Sequence, residues 1–476
     1  MKRREFVKKA SVAAGAFSIV PSFVMGGRHT PPSDTLYLAS IGVGGRGAGV
    51  VNEINRTGKV KFVALCDVDA NRAAETFKKF KKAKVYTDFR DVYDNHLDEI
   101  DGFTVATPDH THAVISLPFI NAKKHAYVEK PLTHNIREAR LMAQAASNAG
   151  IISQMGNQGA SSDGIRKTKE WIDAGVIGKV TKVDCWTNRP VWPQGLRNIT
   201  EAQPVPKTLD WDLWLGPAAD RSYNAAYLPF KWRGFWDFGT GALGDMGCHI
   251  METPFYALEL GHPTEAEASC TTVWAGDFVE ANYDKVCPPS SIVRLKFESK
   301  NHGEVSLNWY DGGVMPDLPD ELKDNEILGD WNGGTAFYGT KGILIADTYS
   351  ANPRLLPGEL NAMFRSPEEK ITRISEGEDR NRHGSNWVNS VLTETRAASD
   401  FSYAGPLTEA VLMGNLAIKA YQYKVLQEGK KEGDWAAFEY PGRRTLKWDG
   451  DNMKITNYEK ANDWVTRTYR EGWKIK

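Results

Sequence analysis

The run Gly42-Val43-Gly44-Gly45-Arg46-Gly47 follows a short apolar segment and precedes a helical pattern. Glycines at this spacing suit one chemistry. Gly42 permits a tight turn, Gly44 lets the main chain approach a pyrophosphate, and Gly47 lets the next helix pack against the strand. Gly45 and Arg46 complete the turn, where the first helical N–H groups are free to meet phosphate oxygens. Asp67 ends the next apolar run at the place where a carboxylate accepts hydrogen bonds from an adenosine ribose. A carboxylate there repels a 2′-phosphate, so NAD is expected rather than NADP. Arg72 nearby is a cation that weighs the other way.

Three further groups of residues have types suited to proton transfer or ligand contact. Thr107-Pro108-Asp109-His110-Thr111-His112 and Glu129-Lys130-Pro131 each follow a short apolar run, at the carboxyl ends of strands where an open sheet places its ligand. Pro131 biases Lys130 away from helical geometry and fixes the turn. Asp245 and His249 are spaced i and i+4 in a segment read as a loop over 241–247 entering a helix that continues to about Leu260, so both can face one pocket. Alone, the pair is equally a helix cap and a core histidine, and Lys130 a solvated surface lysine.

The elements that must position these groups read as alternating strands and helices, the pattern of a parallel sheet with crossover helices. Strands are expected at Leu36–Ile41, Lys61–Cys66, Gly102–Ala106, His125–Val128 and Ile151–Gln154, and helices at Ala70–Lys82, Thr111–Ala122 and Ile136–Ala149. This makes 35–158 a Rossmann domain and 159–476 a substrate-binding α/β domain whose last helices pack back on the first. Asn157, just past the last of these strands, is expected near the nicotinamide end. Longer alternating runs at Lys179–Thr187, Glu265–Trp274, Ser291–Phe297 and Glu304–Trp309 fit an antiparallel sheet.

In these motifs the chain resembles the Gfo/Idh/MocA oxidoreductases. The resemblance rests on the glycine turn, Thr107 to His112, Glu129-Lys130-Pro131-Leu132 and Gly244-Asp245-Met246-Gly247-Cys248-His249, and covers about residues 35 to 260. It implies a Rossmann domain joined to an α/β domain with a large, mostly antiparallel open sheet, and NAD(P)-dependent hydride transfer. It also implies a catalytic set of Lys130, Asp245 and His249. Removing a hydroxyl proton as hydride leaves a secondary alcohol needs a base within hydrogen-bond reach. A histidine titrates near neutral pH, and a partly buried lysine can be drawn toward it. His249 is favoured as the immediate acid/base, with Lys130 polarising the oxygen or relaying the proton and Asp245 orienting both. Contacts to the cofactor are expected from Gly42, Gly44, Gly45, Arg46, Gly47, Asp67, Thr107, Pro108, His112, Glu129, Lys130 and Asn157.

Composition narrows the substrate. The chain has 15 Trp and 17 Tyr, and flat amphipathic rings suit carbohydrate faces. Arg189 and Trp192, then Arg233 and Trp236, lie in loops rich in Trp and Arg, and His383 lies near the C-terminal region. They are candidate sugar contacts, although the same residue types are enriched at subunit interfaces. Residues Asp311–Gly334 read as a long insertion, possible as a lid. The expected activity is that of a sugar, glycoside or polyol dehydrogenase. The alternative is a redox-neutral glycoside hydrolase or lyase that oxidises C3 transiently and keeps its cofactor.

The first residues read as an address. Lys2-Arg3-Arg4-Glu5-Phe6-Val7-Lys8 and an interrupted apolar run from Ala10 to Val24 have the pattern of a twin-arginine export signal, so 1–34 is expected to be signal and linker and the mature protein periplasmic, with no membrane span. That route carries folded proteins, so a tightly held cofactor is expected. Beyond residue 26 there are 54 basic and 59 acidic residues, a net charge of −5, which leaves no basic surplus to hold nucleic acid. The five scattered cysteines contain no C-x-x-C pair, so no metal site is expected. An open sheet with an uncovered face suggests a homo-oligomer.

Overall fold

The computed structural model describes residues 34–195, 198–281, 284–375 and 382–475. The segment expected to be an export signal and all but the last residue of its linker lie outside the described residues. From Leu36 the chain lays down β1 (Leu36–Ile41), α1 (Arg46–Asn55), β2 (Val60–Cys66), α2 (Ala70–Lys79), β3 (Lys84–Tyr86) and α3 (Phe89–His96). It continues with β4 (Gly102–Val105), α4 (His112–Asn121), β5 (His125–Val128), α5 (Ile136–Ala149) and β6 (Ser153–Met155). The six strands are parallel, in the order β3-β2-β1-β4-β5-β6. The order reverses between β1 and β4, and ligands of such sheets lie beyond the carboxyl ends of the strands at that point.

Local chemistry sets the boundaries. Asn135 caps α5 by accepting from the Glu138 N–H, and Gly150, at φ 65°, ends it in the left-handed region. Helix α2 stops at Lys79, short of the expected Lys82, because Phe80 leaves helical geometry with its ring centroid 5.1 Å from that of Phe62. Strand β6 begins at Ser153 rather than Ile151, and the Ile152 N–H donates to His125 Nδ1. Sequence periodicity missed β3 and α3, whose strand is only three residues long.

The second region begins with α6 (Asp163–Asp173), β7 (Val180–Thr187), α7 (Trp211–Leu215), α8 (Gly241–Ile250) and α9 (Glu252–Ala257). There follow β8 (Glu265–Cys270), a hairpin of β9 (Trp274–Gly276) and β10 (Val279–Glu280), β11 (Ser291–Ser299), β12 (Gly303–Tyr310), β13 (Gly333–Gly339), β14 (Gly342–Asp347) and β15 (Arg354–Leu356). Then come α10 (Leu360–Met363), α11 (Arg382–Thr393), α12 (Phe401–Gln422), a hairpin of β16 (Val425–Leu426) and β17 (Phe438–Glu439), and β18 (Leu446–Asp449) with β19 (Lys454–Ile455). The large sheet runs β15-β14-β13-β7-β12-β11-β8-β18-β19 and is antiparallel except where β7 meets β12.

Strand β11 alternates, with Val293, Leu295 and Phe297 buried on one face. That face packs beneath α12, whose other side rests on α5, so one helix ties the two sheets together. Helix α11 docks on α1 through Trp387, Val388 and Val391 against Val50, Val51 and Ile54. The insertion expected as a lid is instead a cover: Leu322 and Leu328 pack on Trp186, Ala336 and Ile343 on the outer face of the sheet. All five cysteines are free thiols. No helix among the described residues is long and apolar enough to cross a membrane.

Candidate functional site

A cleft of about 440 Å³ opens beyond the carboxyl ends of β1, β2 and β4, within the size range of cofactor sites. Its floor is the glycine turn. Gly42 takes φ +75°, and a Cβ on Gly47 would lie 1.7 Å from the Gly42 carbonyl oxygen, so α1 approaches the strand as only glycine allows. Gly44 and Gly45 are approached from outside by Arg72, whose Cγ and Nη2 would meet Cβ atoms there at 2.7 Å and in direct overlap, respectively. The free space expected over Gly44 is thus occupied by the Arg72 stem.

Asp67 lines the cleft, but its Oδ2 accepts from the Val43 and Gly44 N–H groups at 2.9 Å and its Oδ1 from the Asp69 N–H at 3.0 Å. Burial raises its pKa, against those three donors. The carboxylate therefore fastens β2 to the glycine turn. The cap of α2 is Asp69, which accepts from Asn71 and Arg72 N–H groups. Arg46 bridges Glu129 and Glu53 at 2.8 Å each and keeps Nη2 buried without a partner.

At the other end lies the acid–base cluster. Lys130 Nζ donates to the Asp245 carbonyl at 2.6 Å and to Asp245 Oδ1 at 2.9 Å, while Arg233 Nε donates to the same Oδ1 at 3.1 Å. Burial opposes the Asp245 charge, but the Lys130 ammonium and the Arg233 guanidinium outweigh it and hold the carboxyl well below its usual range. Helix α8 is already helical at Gly241, earlier than expected, so Asp245 and His249 do stand one turn apart on it. His249 is 3% exposed and lines the cleft. Its Nδ1 is buried without a hydrogen-bond partner among the described residues. Burial first, then the Lys130 charge, pushes its pKa well below 6.5, not near neutrality as expected.

The remaining candidates divide. Thr107, Pro108, Glu129, Lys130 and Arg233 line the cleft. His112 does not: its ring nitrogens sit 2.9 Å from the Pro131 and Thr107 carbonyl oxygens and staple the two loops together. Asn157 is fully buried, with Nδ2 donating to Glu252 Oε1 at 2.6 Å, and its neighbour Gln158 faces the cleft instead. His383 is a core staple between Ser161 Oγ and the Met155 carbonyl, both at 2.7 Å, and burial takes its pKa down to about 4. Arg189 pairs with Asn188 and Asn332, Trp192 donates to Gln194, and Trp236 lies under Lys419, so none of the three lines the cleft. Their polar atoms are satisfied within their own loops and core.

Other residues take those places. Phe230 and Trp232 line the cleft and sandwich Arg233, whose Cζ lies 4.2 and 4.3 Å from their ring centroids. Both stand in the Trp- and Arg-rich loop of Arg233 and Trp236, a loop legible in the sequence although which of its rings face inward is not. Tyr349 also faces the cleft, and no motif pointed to it. The end near Asp67 is roofed from far along the chain. Residues 208–210 pair with 68–70, bringing Leu209, Leu213 and Trp214 over it, and Trp473 comes in from the tail. Trp473 packs beside Phe89, with the Arg90 guanidinium 4.9 Å from its ring centroid. Among the described residues no group of three or more His, Cys, Asp or Glu is placed to hold a metal ion.

A doubly wound parallel sheet with a glycine cradle, joined to an open-sheet region whose loops and helices close one side of the cleft, defines a two-domain dinucleotide-binding protein. The chain belongs to the Gfo/Idh/MocA oxidoreductase family: residues 37–157 match the profile described as "Oxidoreductase family, NAD-binding Rossmann fold" and 162–272 its "C-terminal alpha/beta domain". It is 27% identical over 174 residues to myo-inositol 2-dehydrogenase of Thermotoga maritima, 37% of this chain and 47% of that protein. It is 29% identical over 160 residues to a glycosyl hydrolase family 109 protein of Shewanella pealeana, 29% of this chain and 35% of that one. The chain thus spans less than half the length of these curated relatives. A solved levoglucosan dehydrogenase in complex with NADH and levoglucosan superposes with a TM-score of 0.53 at 17% identity, covering 81% of this chain and 97% of that one, and shares the fold.

Proposed function

We propose that this protein is an NAD-dependent oxidoreductase that moves hydride to or from a secondary alcohol of a sugar, glycoside or polyol. The observation that carries the reading is the Lys130–Asp245 pair, 2.9 Å apart, beside a neutral His249 at the mouth of a glycine-lined cleft. The residues fit the cofactor. The positive-φ turn at Gly42 and the unpartnered Arg46 Nη2 suit a pyrophosphate, and Asp67 disfavours a 2′-phosphate. When bound, the dinucleotide supplies the hydride acceptor. His249 Nε2 takes the hydroxyl proton, Lys130 polarises the oxygen, and Asp245 holds the Lys130 ammonium in place. Arg233, fixed between two rings, donates to a substrate hydroxyl.

The names of the inositol and levoglucosan dehydrogenases support a polyol or pyranose substrate. The family 109 relative supports a second reading, in which C3 is oxidised transiently, the aglycone leaves and the cofactor is restored. One experiment separates them: incubate the purified protein with glycosides and free polyols, following nicotinamide absorbance and released aglycone. Net NADH formation supports the dehydrogenase. Aglycone release without it supports the hydrolase, and neither event in any combination refutes both.

The Lys2 to Lys8 pattern supports export by the twin-arginine route, and the roof over the cleft supports a cofactor carried along and retained. Mass spectrometry of protein released from the periplasm is expected to find NAD bound; nucleotide-free protein there refutes retention. The open sheet supports a homo-oligomer, which light scattering tests.

A further inference from the structure

Tyr349 stands in the cleft on a turn that no helix or strand requires. It occupies the left-handed region at φ 63°, ψ 26°, followed by Ser350 at φ 60° and, two residues on, Asn352 at φ 45°. Side chains larger than glycine avoid that region, and a run of them persists only where the surroundings over-determine it. Here they do. The Asp347 carboxylate accepts from Asn352 Nδ2 at 2.9 Å and from Arg354 at 2.8 Å, Thr348 Oγ1 donates to Asp330 at 2.9 Å, and Ser350 Oγ lies 2.6 Å from Thr253 Oγ1. The turn is pressed against two glycines: a Cβ on Gly164 would come within 1.9 Å of the Ser350 carbonyl oxygen, and one on Gly159 within 3.1 Å of that of Tyr349.

All this fixing serves a side chain that is itself little buried. Thr348 and Ser350 are 1% and 0% exposed, while Tyr349 between them is 41% exposed. Its ring meets His249 edge to face, centroids 4.9 Å apart at 73°, and its hydroxyl has no hydrogen-bond partner among the described residues. A core residue would bury the ring or satisfy the hydroxyl. Tyr349 does neither, and it faces the cavity shared by His249 and Gln158.

We propose that Tyr349 is a substrate-contacting residue, whose hydroxyl hydrogen-bonds a hydroxyl of the polyol or sugar while its ring sets the plane of His249. This rests on the activity proposed above and names a contact that the motifs do not contain. The backbone strain is what presents the phenol to the substrate.

Two variants test it in the full-length protein, with a polyol that the wild type oxidises. Tyr349→Phe keeps the ring and removes the hydroxyl. It is expected to raise KM about tenfold, the worth of one good neutral hydrogen bond, with NADH affinity by fluorescence titration unchanged. Tyr349→Asn suits left-handed backbone. It is expected to hold or raise Tm while kcat/KM falls further than in Tyr349→Phe. A Tyr349→Phe variant with wild-type KM overturns the proposal, and so does a Tyr349→Asn variant that loses Tm in step with activity, which marks a structural prop. A wild type inert toward every polyol and glycoside overturns the functional reading and this inference with it; an active wild type with an indifferent Tyr349→Phe overturns this inference alone.

Discussion

The surroundings of His249, the base proposed above, disfavour its charged form. Burial and the Lys130 ammonium hold its pKa well below 6.5, which favours the neutral imidazole over the imidazolium. Removing either group leaves the glycine turn untouched. Lys130→Ala and His249→Ala are each expected to lower turnover by about 10²–10⁴-fold while NADH titrations still show binding. Wild-type rates in both variants would remove the assignment. His110 and His383 share this enforced neutrality, at about 3 and about 4, burial being the largest cause in each. A folded pKa below the unfolded value near 6.5 means that the unfolded chain binds more protons, so stability present above pH 6.5 is lost as pH falls through the folded values. Thermal melts are expected to show Tm dropping steeply between about pH 6.5 and pH 3, and a His383→Gln variant to drop less.

Elements placed these residues, and their legibility followed how local the placing forces are. Strand β1, its glycine turn and the approach of α1 depend on neighbours in sequence, and the expected Leu36–Ile41 and the role of Gly47 match the structure. The i, i+4 relation of Asp245 and His249 is likewise local to one helix. Failures came where tertiary contacts decide. Trp192 and Trp236 look like Trp232 in sequence, but which ring faces a cleft depends on partners such as Gln194, Gln422 and Lys419 from other segments. Asn157 reads as a cofactor contact in sequence because nothing local shows that Glu252 takes its amide. Helix α11 makes the same point energetically. Trp387 is fully buried against Tyr127, ring centroids 5.8 Å apart, and fixes the returning chain to the Rossmann sheet. Trp387→Ala is expected to cost about 3–5 kcal/mol, read from denaturant melts. A change below about 1 kcal/mol would mean that α11 is not anchored there.

At the scale of the molecule, the two sheets are one body. Helix α12 packs against α5 on one side and β8 and β11 on the other, and residues 465–475 cross back to the first domain, where Arg467 donates to the His110 carbonyl at 3.0 Å, while Arg470 donates to the Gly216 carbonyl of the second region at 2.8 Å. That return carries Trp473 to the nucleotide end of the cleft. Trp473→Ala is expected to weaken NADH binding about tenfold and, because Trp473 is itself part of the core, to lower Tm as well; fluorescence titration well below the melt reads the first effect and the melt the second. Unaltered affinity would show that the tail covers the cleft without touching the nucleotide.

The tail also sets an order of events. Synthesis runs from the glycine turn outward, so a nascent chain exposes the dinucleotide cradle hundreds of residues before the ribosome releases Trp473. Until then only Leu209, Leu213 and Trp214 cover that end. Under the retention proposed above, the docking of Trp473 is the late step that holds the cofactor, because this residue lies more than 400 positions beyond the glycine turn.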